Sequence, residues 1–355
     1  MKIVFVSGTR ADYGKLKPLM QAAMAVHKVE VFVTGMHLSE LHGSTWTEIK
    51  NDGFHTVRMP NNMDTHELAL ASTIQDFSTY LHFARPDLIV VHGDRGEALA
   101  AAIVGAFTNT IVCHIEGGEV SGTVDEHLRH AISKLSHIHC VTNEAAKQRL
   151  LQMGEIDVHV IGSPDVDLLL SDSLPSLSEV KSRYQIPFDQ YGILIYHPVT
   201  TEDFRYEIKR LVDSIVMSNL NYVVIYPNND SGYELILQEY HRLGDKCVKY
   251  SSMRFEYFLT LLKHADLIVG NSSCGIMEAP YYGVPAINVG SRQEGRGLDY
   301  GNYAINCDAD QVVEAIGRCK RMTPAVPIQT NSAKRFLDVI STPREVQKRF
   351  YALDS

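Results

Sequence analysis

Short apolar runs alternate with amphipathic stretches along this whole chain, and no other feature constrains its fold as strongly. A strand that is apolar at nearly every position must be covered on both faces, and helices between successive strands provide that cover when the strands run parallel. In the first half the pattern predicts strands at 3–6, 29–34, 55–59, 87–92, 110–115, 138–142 and 158–161, with helices at 16–26, 66–83, 97–107, 125–135 and 145–153. The rhythm breaks at 171–179, a Ser/Leu/Pro-rich stretch around Pro175, and restarts with strands at 191–196, 222–226, 267–269, 286–289 and 304–307. A break of that composition is a domain boundary. The expected architecture is α/β: two doubly wound domains, 1–170 and 171–335, whose strand carboxyl ends face each other across a cleft. The last segment reads as helical on either side of Pro343, and residues 336–355 are expected to pack back on the first domain.

A length of 355 residues suits two cores better than one. The formal net charge of −9 argues against a nucleic-acid partner, which calls for a basic face. Six scattered cysteines form no C-x-x-C and no zinc spacing, so they read as reduced, buried apolar residues. The opening apolar run is too short for a signal peptide, and nothing approaches the roughly 20 apolar residues that span a bilayer. A cytoplasmic protein without membrane association is expected.

Ligands of open α/β sheets bind at the carboxyl ends of the strands, so the residues just after each strand are the ones to search. Gly270-Asn271-Ser272-Ser273 follows a buried strand, opens a helix and is followed by Glu278. Backbone N–H groups and serine hydroxyls there suit phosphate oxygens, and Glu278 suits a ribose diol; an ordinary Ser N-cap is the competing reading. The loop Ser7-Gly8-Thr9-Arg10-Ala11-Asp12-Tyr13-Gly14-Lys15 lacks both G-x-G-x-x-G and the P-loop ending, yet it offers Arg10 as a planar cation for a diphosphate. Arg292 and Arg296 on the loop after 286–289 add two more cations.

Two carboxylates occupy matching edge positions. Asp94, in Val91-His92-Gly93-Asp94-Arg95, has a competing duty as a helix N-cap with Glu97 three residues on. Glu116 is followed by two glycines and no helix, which favours function. In the next helix, 100° per residue puts Asp125 and Arg129 at the border of the buried face. It sends Glu126, His127 and His130 outward, and Glu126 also completes a capping box with Thr123. A metal site from His127 and His130 lacks further ligands. His197 and Asn228 end strands of the second half; a satisfied core histidine competes with a ligand-binding role at His197.

In combination, these motifs resemble the hydrolysing UDP-N-acetylglucosamine 2-epimerases of sialic acid biosynthesis. Gly8-Thr9-Arg10-Ala11-Asp12-Tyr13, Gly93-Asp94-Arg95, His114-Ile115-Glu116-Gly117-Gly118-Glu119 with Asp125 and Arg129, His197-Pro198, Pro227-Asn228, Gly270-Asn271-Ser272-Ser273 with Glu278, and Gly290-Ser291-Arg292-Gln293 fall in that family's order over nearly the whole chain. The resemblance implies a GT-B-like fold of two Rossmann-like domains. It implies that Asp94, Glu116 and Asp125, with Arg129, are catalytic. It further implies that Arg10, Arg95, His197, Asn228, Ser272, Ser273, Glu278 and Arg292 hold UDP. The implied reaction converts UDP-N-acetylglucosamine and water to N-acetylmannosamine and UDP, with no metal or redox cofactor, in a homodimer or homotetramer. Two alternatives carry the same motifs or fold: a hydrolysing epimerase for UDP-2,4-diacetamido-2,4,6-trideoxy-glucose, of the legionaminic-type acids, and a GT-B glycosyltransferase.

Overall fold

The alternation resolves into two all-parallel sheets in a computed structural model, which describes all residues except 41, 61–64, 121–124, 295–302, 327–329 and 349–355. Residues 1–119, 125–170 and 328–355 form one compact unit, and 171–327 make the body of a second.

In the first unit the chain runs β1 (Lys2–Ser7), α1 (Arg10–Met24), β2 (Lys28–Val33), α2 (Trp46–Asn51), β3 (His55–Arg58), α3 (His66–Ala84), β4 (Leu88–His92), α4 (Gly96–Phe107), β5 (Ile111–Ile115), α5 (Asp125–Leu135), β6 (Ile138–Val141), α6 (Glu144–Gln152), β7 (Val158–Val160) and α7 (Pro164–Leu169). The sheet order is β3-β2-β1-β4-β5-β6-β7. Strand order therefore reverses between β1 and β4, where Ile3 pairs with Val29 on one side and Leu88 on the other. The loops after β1 and β4 leave that switch point in opposite directions and open a crevice at the carboxyl edge.

The second unit holds α8 (Leu177–Tyr184), β8 (Gly192–Ile195), α9 (Arg205–Ser218), β9 (Tyr222–Ile225), α10 (Tyr233–Tyr240), β10 (Cys247–Tyr250), α11 (Phe255–His264), β11 (Leu267–Gly270), α12 (Cys274–Met277), β12 (Ala286–Val289), β13 (Ala304–Cys307) and α13 (Val312–Arg318). Its order, β10-β9-β8-β11-β12-β13, places an equivalent switch point between β8 and β11.

The structure differs from the sequence reading at several elements. Helix α1 starts at Arg10, not at 16, because Thr9 and Asp12 form a capping box; Gly14 and Pro18 had disguised the helical period. Strand β10 was not foreseen, since it is a half-buried edge strand without an apolar run. The helical stretch expected after Pro343 is absent from 344–348, while 349–355 lie outside the described residues. Helix α14 (Ser332–Ile340) buries Ser332, Phe336 and Ile340 at four-residue spacing in the first unit's core, with the Phe336 ring 6.1 Å from that of Phe5. Beyond it the chain lies irregularly along the first unit. Arg344 pairs with Asp157 at 2.9 Å, and Lys348 donates to the carbonyls of Lys134 and Ser136 at 2.8 and 2.7 Å. Those carbonyls close the C-terminus of α5, where a cation is favourable.

Candidate active site

In the first unit the ends of β4 and β5 and the N-terminal turns of α1 and α7 bring together a buried ionic cluster centred on Glu116. The Glu116 carboxylate accepts from Lys15 Nζ at 3.2 Å, from His92 Nε2 at 3.1 Å and from Ser163 Oγ at 2.9 Å. Asp165 adds a second anion 3.5 Å from Lys15, and Asp12 lies 3.1 Å from His92 Nδ1. Burial by itself would raise the Glu116 carboxyl, but Lys15, His92 and Ser163 together outweigh it and hold the group far below the usual range. Glu116 also adopts a left-handed backbone, φ 61°, uncommon for a side chain of this size. Its N–H is anchored on the Cys140 carbonyl at 2.9 Å, and Gly118, also left-handed, passes so close to Ala146 that a Cβ would meet its carbonyl oxygen at 2.3 Å. Such strain persists where the surroundings over-determine it, and it concentrates at functional sites.

Asp94 is not the N-cap of α4. Arg95 occupies that position, and the Asp94 carboxylate instead pairs with the Arg129 guanidinium. Arg129 lies inside, not at the border of the buried face, because Asp94 and the Glu119 carbonyl, at 3.0 Å, satisfy its charge and donors there. Asp125 opens α5 as its first residue, half-buried, while His127 is exposed. The Thr123 cap expected for that helix lies outside the described residues. Among the described residues no group of three His, Cys, Asp or Glu is arranged to hold a metal.

Arg10 and Arg95 are both engaged by carboxylates: Arg10 pairs with Glu48 of α2, and Arg95 Nε lies 3.6 Å from Glu97. A diphosphate reaching Arg10 has to compete with Glu48.

The second unit organises its loops around Asn271, which is fully buried. Its amide accepts from the His197 N–H at 2.7 Å and donates to the His197 carbonyl at 2.9 Å, and its own carbonyl accepts from Gln293 at 2.8 Å. One residue thus fixes the ends of β8 and β11 through its side chain and the loop after β12 through its main-chain carbonyl. His197 Nδ1 accepts from the Asn228 N–H at 3.0 Å, which leaves the proton on Nε2 and turns the ring into a donor. His197 is therefore half-buried and oriented by its neighbours at a strand end. At Gly270, φ 130° and a Cβ position 1.9 Å from the Ile195 carbonyl oxygen admit glycine alone, so the chain turns sharply into Ser272 and Ser273.

The helix expected there is a single turn, α12, with Ser273 at its N-cap but no side-chain cap bond. A helix that short has little macrodipole, so anion binding would rest on local N–H groups and hydroxyls. Glu278 is buried at its end. Burial and the Glu278 charge push the Cys274 thiol up to about 12, which removes it as a nucleophile. Arg292 is half-buried on the loop after β12, and Arg296 lies outside the described residues.

Sequence reasoning missed His92, Lys15, Asp12, Ser163 and Asp165 as a cluster. His92 ends β4 just as His197 follows β8, and Asp12 and Lys15 share a helix face at i, i+3; both signals were legible. Asn271 and Gln293 were visible only as motif letters.

The family model for UDP-N-acetylglucosamine 2-epimerase matches residues 21–343. Among similar proteins, the UDP-N-acetylglucosamine 2-epimerase of Neisseria meningitidis serogroup B is 44% identical over 99% of both chains. The hydrolysing UDP-N,N'-diacetylbacillosamine 2-epimerase of Legionella pneumophila is 38% identical over 82% of this chain and 81% of its own. Polysialic acid biosynthesis protein P7 of Escherichia coli is 31% identical over 83% and 80%. In fold, the chain is similar to Methanocaldococcus jannaschii UDP-GlcNAc 2-epimerase, solved with UDP-GlcNAc and UDP, at TM-score 0.83 and 22% identity over 96% of this chain and 99% of that one.

Proposed function

Since the chain belongs to the UDP-N-acetylglucosamine 2-epimerase family, we propose that it is a hydrolysing epimerase that converts UDP-N-acetylglucosamine and water to N-acetylmannosamine and UDP for sialic acid biosynthesis in the cytoplasm. The observation that carries this reading is 44% identity to the meningococcal epimerase along nearly the full length of both chains. The likeness to the polysialic acid biosynthesis protein supports the sialic-acid branch, and the likeness to the hydrolysing Legionella enzyme supports the use of water.

The C2 proton of the sugar is weakly acidic, and departure of UDP from C1 makes its removal easier by turning it into an elimination. A carboxylate takes the C2 proton, the C1–O bond breaks, and UDP leaves with the electron pair, giving 2-acetamidoglucal. Water then adds at C1 while C2 is protonated from the opposite face. Asp94, Glu116 and Asp125 divide these proton transfers, and Arg129 holds Asp94. Arg10, Arg95, His197, Asn228, Ser272, Ser273, Glu278 and Arg292 hold UDP, the cations and hydroxyls stabilising charge as the diphosphate leaves. No part of this sequence calls for a metal or a redox cofactor. No helix among the described residues is long and apolar enough to cross a membrane.

A second reading, epimerisation of UDP-N,N'-diacetylbacillosamine, is favoured by the 38% identity to the Legionella enzyme. Both substrates are to be supplied in D₂O and in ¹⁸O-water. The expected result is N-acetylmannosamine with deuterium at C2 and ¹⁸O at C1. Free N-acetylglucosamine without deuterium as the first product overturns the mechanism, and turnover of the diacetamido sugar alone selects the second reading.

Assembly is proposed to be homodimeric or homotetrameric, with no nucleic-acid partner. Helices α3 and α4 of the first unit pack together, and each carries an exposed ring in its last turn, Phe83 at 80% and Phe107 at 86%, that a second copy would cover. Sedimentation is expected to give a dimer or larger that Phe83→Glu with Phe107→Glu dissociates; an unaltered distribution assigns the contact elsewhere.

A further inference from the structure

Both ring nitrogens of His92 meet carboxylates: Asp12 Oδ1 lies 3.1 Å from Nδ1, and Glu116 Oε2 lies 3.1 Å from Nε2. A neutral imidazole carries one N–H, so two ionised acceptors on one buried ring require its doubly protonated form. The Asp12 end is fixed in turn. Its Oδ2 accepts the Thr9 N–H at 3.1 Å while its own N–H donates to Thr9 Oγ1 at 3.2 Å, the capping box of α1. The Glu116 end is the residue after β5 in the left-handed region, φ 61°.

We propose that His92 is a positioning residue, an imidazolium that ties the Glu116 carboxylate to the capped N-terminus of α1 and keeps it ionised and aimed for proton transfer. The inference rests on the epimerase reading, in which Glu116 exchanges a proton with the sugar. The relay runs Thr9–Asp12–His92–Glu116, from the N-cap and first turn of α1 through the end of β4 to the residue after β5.

The groups that face this relay are Lys15 and Asp12 from α1, Asp165 from α7 and Arg95 before α4, with His114 and His37 held neutral by burial. Burial opposes the His92 charge, but Glu116 and Asp12 outweigh it and raise the ring to about 9. Removing His92 leaves Glu116 with Lys15 and Ser163. Loss of one cation at contact distance raises a carboxyl by about 1–3 pH units. If ionised Glu116 is the active form, the acid limb of kcat moves upward. The ring hydrogen-bonds to no group assigned to UDP, so KM stays put.

The test pairs kinetics with spectroscopy on the full chain. His92→Gln and His92→Ala are expected to lower kcat about a hundredfold, the scale of a catalytic group displaced by an ångström. They should leave KM for UDP-N-acetylglucosamine within threefold, and imidazole should restore His92→Ala at least tenfold. The acid limb should rise by about one pH unit. A kcat within threefold of the parent with an unmoved acid limb overturns the proposal. Independently, ¹⁵N-histidine NMR, assigned by the signal lost in His92→Gln, is expected to show a cationic ring at pH 7–8 that becomes neutral in that range in Glu116→Gln. A neutral His92 at pH 7 in the parent refutes the relay even if the variants fold poorly. Because the spectrum needs no turnover, failure of the epimerase reading would show as missing N-acetylmannosamine alongside an intact cationic signal.

Discussion

Arg129 and Asp94 form an unequally buried ion pair: the arginine side chain is 3% exposed and the aspartate 22%. That asymmetry predicts unequal single substitutions. Asp94→Asn strands the deeply buried cation, and breaking a buried pair by removing one partner costs about 3–5 kcal/mol. Arg129→Met strands the anion, which water can reach, so the loss is nearer that of one hydrogen bond to a charged group, about 1.5–3 kcal/mol. In the double variant neither charge is stranded. Its stability should return close to that of Arg129→Met, a coupling equal to the Asp94→Asn loss, about 3–5 kcal/mol, measured as ΔG in urea.

Activity follows the same logic. If Asp94 is an acid or base, Asp94→Asn lowers kcat about 10²–10⁴-fold. If Arg129 acts only through Asp94, the double variant is no slower than Asp94→Asn. Additive stability losses, or a double variant in which the two kcat losses multiply, would refute the assignment of Arg129 as the holder of Asp94 and place it against the substrate.

Arg292→Ala is expected to weaken UDP binding about tenfold or more and Ser273→Ala about two- to tenfold, the range of charged and neutral hydrogen bonds. Calorimetry with UDP alone checks this, and unchanged affinity in both removes them from the nucleotide site. Glu155 is buried, which would raise its carboxyl, yet His139, Lys348 and Lys134 lower it to about 2. A carboxyl depressed in the fold contributes stability above its unfolded value of about 4.3 that is lost as pH falls toward 2. Lys348→Met should therefore move the acid-unfolding midpoint upward, and an unmoved midpoint means that the tail contributes nothing to this cluster.

Much of the fold followed from local chemistry. Strands such as Leu88–His92 and Gly192–Ile195 are buried on both faces, so their apolar runs announced a covered parallel sheet without any knowledge of neighbours. The same reasoning put Glu116, Asp94 and His197 at strand ends. Elements without a local signature were lost: β10 lies at a sheet edge, and residues 344–348 take their path from carbonyls at the far end of α5.

The candidate site divides in the same way. Position along a strand is a property of the sequence, and it found the residues that stand at the carboxyl edge. Pairing is a property of space. Asp12 and His92 are 80 residues apart and Lys15 and Glu116 are 101 apart, so nothing in their local pattern joins them. Only the sheet order, with β1 beside β4 and β4 beside β5, brings the strand ends and helix starts that carry them to one crevice. There a low dielectric makes each charge determine the protonation of the next. Which atoms are acid, base or counter-ion was therefore decided by tertiary structure, because pKa depends on distance and burial and neither is written in residue order.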